Sequence, residues 1–187
     1  LINSEIGYIE NPANSNAIIR ARTTRQIRSW ELLRSIKALE VLNSELGKVD
    51  FPGIYVLFES KQGKQKVYVG EAKNIYKRLK THISNPDDKI RNWDRVLVIN
   101  DGRAATQSDF NDTVVRKALE LHLIKLLRAN KYKVVSQGES QNLNAIQKHL
   151  VSTLKEDLNF FINNTKQIRK NNNYGNGKKW PAPQRLF

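Results

Sequence analysis

Cysteine is absent from this chain of 187 residues. That excludes disulfide bridges and zinc-thiolate sites, and it leaves the redox compartment open. Histidine is scarce: only His82, His122 and His149 occur, so a zinc site built from imidazoles would need nearly all of them. No apolar run approaches the ~20 residues of a membrane span, and the first residues do not read as a secretory signal. Acidic residues are in short supply, 18 against 32 Lys and Arg, for a formal net charge of +14. A surplus of that size draws polyanions, and nucleic acid is the commonest polyanionic partner. The plainer alternatives are a protein that is merely basic, or one that lies on an acidic membrane surface. With 39% hydrophobic residues the chain can pack a core, and its length suits one domain with an extra piece at each end.

The apolar pattern divides the chain. Residues 1–20 carry Gly7, Pro12, Asn14 and Asn16 and read as irregular. From about Thr24 to Leu46 the spacing of Leu32, Ile36, Leu39, Leu42 and Leu46 predicts a helix, with Gly47 as its stop. Arg20, Arg22, Arg25, Arg28 and Arg34 crowd this segment, either as a solvated face or as a phosphate-contacting arm. Gly53 to Phe58 and Lys66 to Val69 read as two strands of a hairpin. Ala72 to Ile83 reads as a helix, and Arg95 to Ile99 as a third strand. A polar loop over 100–111 leads to a strongly apolar helix ending near Leu127, capped by Asn111 or Asp112. Lys131 to Val135 reads as a short extended piece. Ile146, Leu150, Leu154, Leu158 and Phe161 space a further amphipathic helix. The end, from Asn171 on, mixes Asn, Gly and Pro with Tyr174, Lys178, Lys179, Trp180 and Arg185. That composition reads as a flexible basic tail, in which Tyr174 and Trp180 either stack on bases or pack back on the core.

Two features carry chemistry. Asn74, Arg78 and His82 stand four residues apart, so they are expected on one outward face of the Ala72–Ile83 helix, opposite Ile75, Leu79 and Ile83. Taken alone, that is an ordinary solvated face. Glu120 lies between Leu119 and Leu121 in the most apolar helix. A carboxylate there is costly unless it is paired, with Arg116 or Lys117 as local partners, or binds a metal ion.

Gly53-Ile54-Tyr55, followed thirteen positions after its tyrosine by Tyr68-Val69-Gly70, resembles the defining pair of the GIY-YIG nuclease family. The run from Tyr68 through Asn74 and Arg78 to Leu79 resembles the family's helix motif. It is similar to the incision domain of the bacterial excision-repair nuclease, to homing endonucleases and to certain restriction enzymes. The likeness covers roughly residues 50 to 145 and explains neither end. It implies an α+β fold, a three-stranded, mostly antiparallel sheet flanked by helices. It also implies a catalytic set of Tyr55, Tyr68, Arg78, His82 and Glu120, with Asn142 as the late asparagine and Asn144 and Asn130 as rivals for that role. Glu71 stands where the repair nucleases carry a lysine.

The organisation expected from this resemblance is a basic, mainly helical extension over 1–49, a nuclease domain over 50–145, and a C-terminal helix with a basic tail over 146–187. The implied reaction is hydrolysis of a phosphodiester bond. Glu120 holds Mg²⁺ or Mn²⁺, Arg78 grips the phosphate, and Tyr55 activates water with His82 in support. Lys73, Asn74, Lys77, Arg78, Lys178 and Lys179 are expected to bind nucleic acid, DNA first with RNA still open. No membrane partner is expected, and self-association as a homodimer through the amphipathic flanks is open. The expected setting is cytoplasmic, alongside the nucleoid. Restriction, defence, mobile-element homing and repair all fit such a module. So does a non-catalytic nucleic-acid-binding protein that has kept the fold.

Overall fold

The computed structural model describes residues 18–22, 26–60 and 65–165. The irregular start, the centre of the hairpin turn, Arg25, and the tail with Tyr174, Lys178, Lys179, Trp180 and Arg185 lie outside the described residues. Ten elements follow in order: β1 (Ile18–Arg22), β2 (Ile27–Leu33), α1 (Ile36–Glu45), β3 (Gly53–Glu59), β4 (Lys66–Ala72), α2 (Ile75–Ser84), β5 (Arg95–Asp101), α3 (Thr113–Ala129), β6 (Lys133–Val134) and α4 (Ala145–Thr165). The strands form one sheet in the order β1-β2-β5-β3-β4-β6. Every pairing is antiparallel except that of β4 with β6. The sheet is therefore larger than the expected three strands, and mixed.

β3 lies inside the sheet between β5 and β4, buried on both faces along its whole length. Its side chains alternate between two cores. Ile54, Val56 and Phe58 join Val67, Val69, Leu97 and Ile99 beneath α3 and α4. Tyr55 and Leu57 join Val96, Val98, Ile75 and Leu79 beneath α1 and α2. Each fully buried side chain of this size contributes about 1.5–3 kcal/mol, so the two-sided strand is the mechanical centre of the fold.

The expected helix from Thr24 to Leu46 holds only for Ile36–Glu45. Residues 27–33 are a strand between β1 and β5, so the described part of the 1–49 segment is not mainly helical. Sheet packing overrides the helical spacing here. Ile27 packs into the α3/α4 core, Trp30 and Leu32 into the other. Between them, Glu31 is buried and meets Arg95 at 2.8 Å. The step from Leu32 to Ile36 crosses Ser35, whose side chain accepts from Ala38 N and caps α1. Ile36 itself is exposed.

β2 and α4 are stitched into the same body. The α4 residues Val151, Leu154, Leu158 and Phe161 share a core with Ile27 and Ile54. Asp157, buried on α4, accepts from the backbone N–H groups of Ile27 (3.1 Å) and Gln26 (3.3 Å) at the start of β2. Asn144 and Gln147 cap the start of α4 reciprocally. Gln147 also donates to Asp112, the N-cap of α3, at 2.8 Å. Of the residues expected to line α4, Ile146 is exposed, while Val151 and Ile162 are buried instead. No helix among the described residues is long and apolar enough to cross a membrane.

Candidate active site

The register of the β3/β4 hairpin builds the site. Tyr55 pairs with Gly70, and Leu57 with Tyr68, so the two tyrosines sit diagonally on one face of the sheet. Their rings lie 6.3 Å apart, 27° from parallel. Gly70 has no side chain for a steric reason: a Cβ there would lie 2.5 Å from Tyr55 Cζ. The Tyr55 ring and hydroxyl lie over the Gly70 backbone. Gly53 is required by a similar close approach, since a Cβ there would meet the Ile99 carbonyl at 2.6 Å.

α2 supplies the next two groups. Asn74 is its N-cap, accepting from Lys77 N at 2.9 Å and donating to Asp50. Its side chain is therefore committed to the helix start rather than to an outward-facing row. Arg78 is exposed and donates from Nε to Tyr55 Oη at 3.1 Å. His82 departs from the sequence reading: it is buried, not on the outward face. Ile75 and His82 are seven residues apart, nearly two full turns, so His82 falls on the same inward stripe as Ile75 and Leu79. There its Nε2 meets Tyr55 Oη at 2.9 Å. The end of α2 that carries His82 is held in place. Trp93 Nε1 donates to the His82 carbonyl at 3.3 Å, and Arg34 stacks over the Trp93 ring. Carbonyls in the last turn of a helix lack internal donors, and Trp93 supplies one.

The Tyr55 hydroxyl thus accepts from a guanidinium and is left one proton to donate, toward the imidazole. Burial, the first cause, and then Tyr68 and Glu120 push the Tyr55 phenol well above its usual range, while the Arg78 hydrogen bond pulls it back. Burial and then the Arg78 charge lower His82 from 6.5 to about 4. At neutral pH both groups are uncharged, and the imidazole Nε2 lone pair is free to accept.

Glu120 approaches from the other layer, half-buried on α3, which packs against β4. Neither local partner reaches it. Arg116 bonds Glu71 at 2.6 Å and Lys117 meets Glu139 at 3.7 Å. Among the described residues no salt bridge or hydrogen bond engages the Glu120 carboxylate. Burial first, and then the charge of Glu71, raise it from 4.5 to about 7. A half-buried carboxylate repelled by a neighbouring carboxylate suits a hard divalent cation that keeps most of its waters. Among the described residues no group of three or more His, Asp or Glu gathers as a metal site, so Glu120 would hold such an ion without a cluster of acidic or imidazole ligands around it.

The other expected residues sort plainly. Lys73 and Lys77 are exposed on the α2 side, with Lys77 3.5 Å from Asp50. Asn142 is exposed in the loop before α4, and no hydrogen bond ties it to the tyrosines. Its rivals have structural work: Asn130 donates to Leu126 O at the end of α3, and Asn144 caps α4. Sequence reasoning missed the Arg116–Glu71 pair, which joins different elements, and Trp93, which stands in no periodic pattern. The inward turn of His82 was readable from its distance to Ile75.

Residues 51–133 match the model of the GIY-YIG catalytic domain. Residues 51–133 therefore carry a GIY-YIG catalytic domain, which indicates an endonuclease, a phosphodiester hydrolase. No curated protein and no solved structure matches it.

Proposed function

We propose that this protein is a divalent-metal-dependent DNA endonuclease of a restriction, defence or mobile-element kind. The observation that carries the reading is the Tyr55 hydroxyl, held between Arg78 and His82 with the unpaired carboxylate of Glu120 close enough to perturb it. In-line attack on a phosphodiester needs a deprotonated water, charge stabilisation at the phosphate and help for the departing oxygen. Tyr55 Oη takes the water proton as its own proton passes to His82 Nε2, so neither group need be ionised at rest. Arg78 offers a planar fork of N–H donors to the phosphate oxygens, worth more as charge builds in the transition state. It also stabilises phenolate character on Tyr55. Tyr68, beside both the Tyr55 and His82 rings, orients the water or the phosphate. Glu120 would hold Mg²⁺ or Mn²⁺, which would supply positive charge to the phosphate and the leaving oxygen when bound.

Substrate binding rests on the basic balance of the chain. Lys73, just before α2, and Lys77, on it, are exposed ahead of Arg78 and would contact phosphates of the strand entering the site, without reading sequence. Asn142 stands as the candidate late asparagine of the catalytic set, and Lys178 and Lys179 as further candidates for contacting the strand. The test is incubation with supercoiled plasmid, linear DNA, branched DNA and RNA in Mg²⁺, Mn²⁺ or chelator, followed by mapping of the ends. Metal-dependent cuts in DNA, lost in Arg78→Ala, are expected. Binding without cleavage in every condition would instead identify a nucleic-acid-binding protein, and cutting that persists in excess chelator would remove the metal.

A further inference from the structure

Arg116 is the least exposed arginine on α3 and one of few buried charges in the molecule. Its guanidinium is nearly saturated. Nε donates to Glu71 Oε2 at 2.6 Å. Nη1 donates to the carbonyls of Phe110 and Asn111 at 2.6 and 3.1 Å, and Nη2 to Thr113 Oγ1 at 3.0 Å. One end of this bracket therefore grips the first turn of α3 and the chain leading into it. The other grips the residue directly after Gly70 on β4. Two properties follow. The rotation of α3 about its own axis is fixed against the edge of the strand that carries Tyr68. And Glu120, one turn beyond Arg116 on the same side of the helix, is carried to a fixed place beside that edge.

The bracket also settles which carboxylate is available. Glu71 exerts the largest charge effect on Glu120, a repulsion between like charges, yet its own charge is met by Arg116. One acidic side chain is engaged while its neighbour stays open. We infer that the Arg116–Glu71 pair is a positioning device for the metal-binding carboxylate, setting where Glu120 stands relative to the tyrosine pair. Neither residue touches substrate or ion. The inference rests on the reading of Glu120 as the metal ligand.

The test measures Mn²⁺ binding to the free full-length protein by calorimetry, alongside kcat, KM and melting temperature. Glu71→Ala cuts the bracket on the strand side while leaving Arg116 its three contacts on the first turn of α3 and the chain leading into it. It is expected to weaken Mn²⁺ binding and lower kcat by about tenfold each, the scale of groups that orient a metal ligand, with KM for DNA unchanged. Glu71→Gln keeps an acceptor for Arg116 and should hold Mn²⁺ affinity within about twofold of wild type. Glu71→Asp, the mildest change, should weaken it by about threefold and serves if the alanine variant does not fold. Unchanged Mn²⁺ affinity in the alanine and aspartate variants would overturn the positioning role. So would a loss in Glu71→Gln as large as in Glu71→Ala, which would make Glu71 a ligand. Glu120→Gln run in parallel separates the two levels. If it still binds Mn²⁺, the underlying reading fails. If it loses the ion while Glu71→Ala keeps it, the inference alone fails.

Discussion

Glu120 should cost the metal-free protein stability, and removing its charge should stabilise the fold while destroying the activity. Folding moves this carboxyl from 4.5 to about 7. At ~1.4 kcal/mol per pH unit the ceiling is about 3 kcal/mol. The side chain is only half-buried, and screening by water brings the working figure to about 1–2 kcal/mol. Because the folded value lies above the unfolded one, the favourable protonated state is fully present below 4.5 and is lost as pH rises through about 7. Glu120→Gln, which never ionises, should therefore match wild type near pH 4.5 and exceed it at pH 8.5. The gain should be about 3–6 °C in melting temperature for a chain of this size. Thermal melts across that range, without and with Mg²⁺, give the answer. Mg²⁺ should raise the wild-type midpoint at pH 8.5 by binding the folded state alone, and should leave the glutamine variant unmoved. An equal or lower midpoint for Glu120→Gln at pH 8.5, with no growth of the gap as pH rises, would refute the claim that this carboxylate is held charged at a cost.

Other tests reach the rest of the cluster. His82, lowered to about 4 by burial and by Arg78, contributes stability that is present above 6.5 and lost as pH falls through about 4. Its ring resonances should stay constant from pH 5 to 8 with the proton on Nδ1, and a midpoint near 6.5 would contradict the buried relay. Gly70→Ala forces a methyl into the Tyr55 ring. It should cost about 1–3 kcal/mol by urea unfolding and lower kcat far more than it raises KM; a variant with wild-type kcat would mean that Tyr55 need not lie where it does. Asp157→Ala removes the acceptor for two backbone N–H groups of β2. It should destabilise by about 1–3 kcal/mol, and a change under 0.5 kcal/mol would show that α4 does not anchor that strand.

What the sequence disclosed, and what it hid, follows the physics of each segment. The hairpin and β5 were legible because alternating β-branched and aromatic residues have few other uses. The cap of α3 was legible as Asn111 or Asp112, because short acceptor side chains stood just before an apolar run, and it is Asp112 that caps the helix. β2 was misread because Leu32 happens to fall four residues before Ile36, and the cap signal of Ser35 between them went unused. The motif singled out Tyr55, Tyr68, Arg78 and Glu120 as candidates. The motif could not say that His82 turns inward, although its place seven residues after Ile75 could. Nor could local reasoning anticipate that Arg116 would leave Glu120 for Glu71, since that choice depends on how α3 lies against β4. The reach of Asp157 to the start of β2 was hidden for the same reason: the partners are 130 residues apart.

The account rests on the convergence of Tyr55, Tyr68, Arg78, His82 and Glu120 on one phosphate. The most direct measurement is a crystal structure of the Tyr55→Phe protein with a DNA duplex and Mn²⁺, with the ion located by anomalous scattering. The predicted peak lies on the Glu120 carboxylate and shares a phosphate whose other oxygen is gripped by Arg78. An ion bound away from Glu120, or a strand whose phosphates pass nowhere between Arg78 and α3, would contradict it.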